Sequence, residues 1–360
     1  MLLPPGPGQT RVMTEQQHAE SERPGRSGQD AEDSKTRTTV LVALGANLVI
    51  ALAKALGGLF AGSPALLSEA AHSVADSLNE VFLLASLKRS KRKPDADHPF
   101  GYGKERFFWS LLAAVGIFVM GGCFSFYQGI EAMRSEGSDS RTGFIVGFAV
   151  LAVALIAEGA SLAKALVQVR SQARREGRSM FRQLRAADDP ALRTVLAEDS
   201  TACLGVLLAI AGLGLHAATG DVMYEAWASL LIGMLLVYVA YQLGRESRKQ
   251  LIGEAADPAQ RREILDFLDG QSEIDTVTTL LTMRLGPDSV LVAARIDLMP
   301  GLDSEVVEEV SKRLRATICS EWPMIDQIFL DITDASAEDR ARARRERREL
   351  EAAAAEAADA

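Results

Sequence analysis

Cysteine is scarce in this sequence: three in 360 residues, Cys123, Cys203 and Cys319, far apart and with no CxxC pair. That spacing excludes a disulfide framework and a structural zinc knuckle. Cys123 and Cys203 fall inside apolar runs and read as small packing residues. Histidine is nearly as rare, with four residues, and none comes after His216. No GxxxxGK[ST] loop is present, which argues against a pump driven directly by ATP. HExxH, GxSxG and a paired-aspartate protease signature are also missing, so a catalytic role has no support. No basic patch interleaved with aromatics points to nucleic acid. The net charge of −9 comes largely from the acidic carboxy-terminal region. The first thirty-odd residues contain no apolar h-region, and Glu15, Glu20, Glu22, Asp30, Glu32 and Asp33 argue against a transit peptide. Residues 1–36 read as a disordered cytoplasmic tail, with Met1 or Met13 as the start.

What the sequence does have is segregation. Hydrophobic residues make up 48% and charged residues 24%, but the apolar ones are gathered into long runs in the middle of the chain. A bilayer core needs about 20 apolar residues per helix. Six segments qualify: Thr39–Phe60, Ala65–Leu87, Phe107–Tyr127, Phe144–Val167, Leu192–Leu215 and Ala226–Leu243. The second, fourth and fifth carry acids and would score weakly alone. Lys88, Arg89, Lys91, Arg92, Lys93, Lys104 and Arg106 crowd the second connection, and Arg170, Arg174, Arg175, Arg178, Arg182 and Arg185 the fourth. Alternate connections carry almost no positive charge. The positive-inside rule then places both termini in the cytoplasm, with a bacterial plasma membrane as the expected location.

Beyond the sixth segment, ordinary soluble patterning returns over residues 251–334. Pro258–Leu268 is helical in period, Ile274–Arg284 and Ser289–Leu298 read as strands, and Gly286-Pro287-Asp288 marks a hairpin between them. Asp303 is set to cap a second helix with Val306, Val307, Val310 and Leu314 on one face, and Ile325–Ile332 closes the order as a strand. The expected fold is therefore an all-α six-helix transmembrane bundle over residues 37–250, followed by a small ferredoxin-like α/β domain of order α-β-β-α-β. The tail over 335–360, dominated by Ala, Arg and Glu, reads as solvated helix or disorder.

Ionisable groups inside the apolar segments ask for a reason, since each costs about 2.5–3.5 kcal/mol at the bilayer centre. Glu69, His72, Asp76 and Asn79 stand at i, i+3, i+7 and i+10, one face of one helix. An imidazole and a carboxylate one turn apart suit Zn²⁺ and its first-row neighbours. The alternative is that the two side chains bond each other and tie helices together. In the fifth segment Glu198 and Asp199 are adjacent, so only one can face His72 and Asp76 squarely. Glu158, with Ser161 one turn on, adds an acid in the fourth segment. Asn47 and Lys54 share a face of the first, and Lys54 reads as a structural partner for one of these acids.

In order along the chain, these residues resemble the cation diffusion facilitator family. The pattern Asn47…Lys54…Gly62-Ser63 leads into Ser68-Glu69-Ala70-Ala71-His72-Ser73-Val74-Ala75-Asp76, similar to the family's HxxxD motif. Within the family the likeness is to the zinc transporter 9 branch, through His98-Pro99-Phe100-Gly101-Tyr102-Gly103, Val115-Gly116-Ile117-Phe118-Val119-Met120-Gly121-Gly122, Glu158-Gly159-Ala160 and Leu196-Ala197-Glu198-Asp199-Ser200-Thr201. The resemblance implies a homodimeric exporter of divalent metal, Zn²⁺ above all, that exchanges metal for protons by alternating access. Metal is cargo in that scheme, and no resident cofactor is implied. It also implies His72, Asp76 and Asp199 as metal ligands, with Glu198 and Glu158 as further ligands or proton carriers. The family's fourth ligand falls at Val195, which cannot bind metal. That substitution keeps two alternatives open: an exporter of Mn²⁺, Fe²⁺ or Co²⁺, and a membrane interaction protein that has lost transport. His98 is expected to shape a turn and His216 to lie at the interface. Without histidine, the soluble domain is expected to dimerise rather than sense metal.

Overall fold

The computed structural model describes residues 26–134, 140–175 and 190–359. The chain divides into two units, Met1–Ala46 and Asn47–Ala360. Of the tail expected over 1–36, residues 1–25 lie outside the described part and the rest belong to the first helix. The larger unit holds nearly all of the helices and the whole of the sheet.

Seven helices come first: α1 (Arg26–Ala61), α2 (Pro64–Ser90), α3 (Glu105–Gly116) continued through a π turn at Ile117–Cys123 into α4 (Phe124–Ala132), α5 (Arg141–Arg175), α6 (Pro190–Thr219) and α7 (Met223–Ile252). Local chemistry sets the α1–α2 boundary. Gly62 takes φ 63°, a left-handed conformation that glycine adopts without penalty. Ser63 then caps α2, its hydroxyl accepting from the Leu66 N–H, and Pro64 stands in the first turn. Among the described residues, five stretches are long and apolar enough to cross a membrane: Leu44–Ala61, Glu105–Ala132, Arg141–Ser171, Leu196–Thr219 and Met223–Ile252. The stretches in α5 and α6 qualify despite their acids. The α2 helix, at 27 residues, is long enough but not among them. Glu69, His72, Asp76, Asn79 and Glu80 make it too polar by composition, which is where the expected count of six is not met. Leu48, Leu52, Leu56, Leu59, Val153 and Ile156 point outward, half or more exposed, as a lipid-covered surface would.

The π turn marks a close approach. A Cβ on Gly121 would come within 2.9 Å of Leu236 in α7, and one on Gly122 within 2.8 Å of Val237. The missing side chains let the α3–α4 backbone lie against α7. Cys203 is buried as expected, whereas Cys123, at the end of the π turn, is exposed.

The remaining elements are α8 (Pro258–Asp269), β1 (Ile274–Gly286), β2 (Ser289–Leu298), α9 (Ser304–Glu321), β3 (Ile325–Ile332) and α10 (Ala337–Asp359). They form one three-stranded sheet of order β1-β2-β3, with β1 and β2 antiparallel and β2 and β3 parallel. Alternation decides the buried face: Val290, Val292, Ala294 and Ile296 of β2 point into a core with Ile264 and Leu268 of α8 and Val310, Leu314 and Ile318 of α9. Asp303 caps α9 by accepting from the Glu305 and Val306 N–H groups. Val306, expected on the inner face, is exposed.

The carboxy-terminal helix corrects an expectation. Rather than standing free in solvent, α10 packs on α8 and β1. Leu350 joins the core, Arg340 pairs with Asp275 and Asp297, and Arg347 pairs with Asp269. Leu350 is the one large apolar residue of a helix otherwise built from Ala, Arg, Glu and Asp, so it provides most of the apolar anchorage. Leu350→Ala should destabilise the domain by about 2–5 kcal/mol, readable as a lower unfolding midpoint. An unchanged midpoint would mean that the helix does not bind where described.

The loop between α2 and α3 is an ordered turn. The His98 carbonyl accepts from the Gly101 and Asp95 N–H groups, and Arg92 stacks over the Tyr102 ring at 4.3 Å. The Tyr102 hydroxyl, at 2.7 Å, and the His98 N–H both donate to Asp95. Those donors hold the Asp95 carboxyl below the usual carboxylate range. The turn rests on the sheet: a Cβ on Gly103 would lie 2.5 Å from the Leu285 carbonyl oxygen in the β1–β2 hairpin, and Phe100 meets Phe329 of β3 edge-on at 6.4 Å. Gly103→Val should therefore separate hairpin from turn, seen as faster proteolysis of the residue 253–258 linker. Wild-type cleavage would contradict the contact.

Candidate cation site

The polar face of α2 carries the site. His72 Nε2 lies 3.3 Å from Asp76 Oδ2, one helical turn away, and His72 is 4% exposed. On the other side of the ring, His72 Nδ1 lies 3.8 Å from Oε1 of Glu69, which is fully buried. The sequence placed all these residues on one face, and the structure keeps them there.

The remaining predicted residues are engaged elsewhere. Asp199 of α6 accepts from the Ser161 hydroxyl of α5 at 2.7 Å. Its neighbour Glu198 turns toward α2 and accepts from the Asn79 amide at 3.0 Å. Adjacent residues on a helix diverge by about 100°, and the two acids accordingly address different helices. Glu158 accepts from Lys54 at 2.7 Å. Among the described residues, no group of three or more His, Cys, Asp or Glu side chains is close enough to hold a metal ion. His72 and Asp76 are thus together, while Asp199, Glu198 and Glu158 are not gathered with them in one shell. The Val195 side chain lies outside the described part.

Lys54 is the structural hub expected of it. Its ammonium, 1% exposed, donates to Glu69 at 2.9 Å, to Ser73 at 3.0 Å and to Glu158 at 2.7 Å. These contacts use all three donors and join α1, α2 and α5. Buried charges persist only when paired in this way. Sequence reasoning overlooked Glu80, which accepts from Asn47 of α1 at 2.8 Å. It lies at i+4 from Asp76, so the spacing that found Asn79 could have found it too. Also overlooked was Glu225 at the start of α7, 1% exposed. Its carboxylate accepts from the Ser63 hydroxyl and lies 2.5 Å from His216 Nδ1. His216 is therefore buried against Glu225, in the last turn of α6. The bond partner sits across a turn between helices, where no periodicity in either helix announces it.

Long apolar helices enclosing paired charges define a multi-pass membrane protein with a polar interior. Residues 40–252 match the model of the cation efflux transmembrane domain, and the chain belongs to that family of transporters, the cation diffusion facilitators. It is 32% identical over 258 residues to the proton-coupled zinc antiporter SLC30A9, mitochondrial, of Xenopus laevis, covering 72% of this chain and 46% of that one. It is 32% identical over 293 residues to metal tolerance protein C4 of Arabidopsis thaliana, covering 81% and 62%. With the manganese efflux system protein MneP of Bacillus subtilis it shares 25% over 303 residues, covering 82% and 95%. The chain spans about half the length of the SLC30A9 relatives. The likeness to the zinc transporter 9 branch thus stands on relatives as well as on motifs.

Proposed function

We propose that the protein exports divalent metal, Zn²⁺ foremost, from the cytoplasm in exchange for protons. The observation that carries this reading is the His72–Asp76 pair, an imidazole and a carboxylate held together on the buried face of α2. Asp199 and Glu198 on α6 would supply oxygen ligands from the neighbouring helix, brought to His72 and Asp76 by a movement of α6 against α2. In this scheme α2 is the sixth membrane span, its polar face turned to protein and its cost met by the pairs just described. The alternate basic connections put both termini in the cytoplasm, and a bacterial plasma membrane fits that orientation.

Proton exchange is a consequence of ligand chemistry. Metal binds neutral imidazole and ionised carboxylate, so loading expels protons and protonation expels metal. The names of the zinc antiporter relatives carry the same coupling. A second reading, Mn²⁺ as cargo, is favoured by valine at position 195 and by the name of MneP, since oxygen-rich sites suit Mn²⁺. Val195→His, which restores a second imidazole four residues before Asp199, should raise preference for Zn²⁺ over Mn²⁺ in competition flux. Unchanged selectivity in an assembled variant would show that position 195 does not face the ion.

The soluble domain serves dimerisation in this account. Leu281 stands exposed on the sheet face away from the helices, as does Phe329, which Phe100 covers only in part, and no histidine lies beyond His216 to sense metal. Deleting the chain after Gly253 should weaken dimers in size-exclusion chromatography with light scattering, whereas a dimer of unchanged stability would remove the domain from that role.

A further inference from the structure

The two ring nitrogens of His72 have different surroundings. Nε2 faces Asp76. Nδ1 faces Oε1 of Glu69, and neither of those two buried atoms has a hydrogen-bond partner among the described residues. Glu69 is not free to turn away, because Lys54 holds its other oxygen at 2.9 Å and is itself held by Ser73 and Glu158. The facing helix leaves space for the encounter. A Cβ on Gly205 of α6 would collide with Oε1 of Glu69 and sit 3.6 Å from His72 Nδ1. Glycine at 205 therefore keeps a small recess where these two atoms point at each other. A turn of the imidazole about its soft outer torsion is the motion that would shorten 3.8 Å toward a hydrogen bond of about 2.9 Å.

A histidine that binds metal through one nitrogen usually donates its other N–H to a carboxylate, which fixes the tautomer and the ring plane. We propose that Glu69, anchored by Lys54, is a positioning residue for the cation site: it takes the Nδ1–H of His72 and so presents an unprotonated Nε2 to the cargo beside Asp76. Glu69 is not a ligand in this arrangement, since one oxygen is on Lys54 and the other lies across the ring from Nε2. The inference rests on the reading of His72 and Asp76 as cargo ligands.

The test uses the full chain in lipid nanodiscs, labelled with ¹⁵N-histidine, without metal and at a pH where the ring is neutral. His72 is assigned by its loss in His72→Gln. The parent protein should carry the His72 proton on Nδ1, and Glu69→Gln and Gly205→Ala should each shift it toward Nε2. Zinc affinity in both variants should fall about 10–100-fold, while a merely structural role would leave the tautomer unmoved. A parent protein protonated on Nε2, or a Glu69→Gln variant with unchanged tautomer and affinity, overturns the proposal. Asp76→Asn separates the positioning role from the site itself. If it loses zinc while Glu69→Gln does not, only the positioning role fails; if it binds zinc like the parent, the site is misassigned.

Discussion

Asp76→Ala and Asp199→Ala are each expected to abolish metal flux in proteoliposomes while leaving the protein inserted and assembled. The reason lies in how little these acids hold in place. Asp76 faces His72 on its own helix, and Asp199 accepts one hydrogen bond from Ser161. Neither is tied to a lysine or arginine among the described residues, so removing either carboxylate breaks no ion pair with such a partner. Losing one hydrogen bond costs about 1 kcal/mol, well within what a bundle of this size tolerates. The loss to cargo is far larger, because a desolvated divalent ion would lack an anionic ligand. Flux near that of the parent in a well-assembled variant would remove that acid from the site.

Lys54→Met should have the largest effect on stability. It leaves Glu69 fully buried and Glu158 mostly so, without the cation that joins them. Breaking a buried pair from one side costs about 3–5 kcal/mol, because the remaining charge has no compensation. Thermal unfolding in detergent should show a markedly lower midpoint or failure to assemble. Neutralising the two acids as well, in Lys54→Met with Glu69→Gln and Glu158→Gln, should recover much of the loss. A Lys54→Met protein as stable as the parent would show that the three-helix junction contributes nothing, and the anchoring of Glu69 would lose its basis.

Much of this architecture is readable in the sequence because periodicity encodes it. The strands Ser289–Leu298 and Ile325–Ile332 stand out by their Val, Ile and Leu content and fall where expected, and the Asp303 cap is visible as an aspartate ahead of an apolar helical stripe. His72 and Asp76 are legible for the same reason, since a four-residue spacing fixes a shared face whatever the surroundings. What is not legible depends on packing between elements. Leu350 lies in a tail whose composition reads as solvated, yet it fills a gap between α8 and β1. Glu225 finds His216 and Ser63 only after three helix ends meet. The π turn at Ile117–Cys123 arises where glycines let α3–α4 approach α7, and a helical period drawn along the sequence cannot show it. The relation of Asp199 to His72 is of this kind too: sequence spacing brings each to a helix face, and helix positions decide whether those faces meet.

The most direct test of the account is coupled flux in a single vesicle preparation. Purified protein is reconstituted into liposomes carrying a zinc-sensitive dye and a pH-sensitive dye, with external Zn²⁺ and an imposed proton gradient. Zinc entry should be accompanied by proton movement in the opposite direction, should accelerate when the gradient opposes the metal, and should vanish with the Asp76→Ala protein. Zinc entry that ignores the gradient and moves no protons would contradict metal–proton exchange, and entry that survives in Asp76→Ala would contradict the site on which the exchange is built.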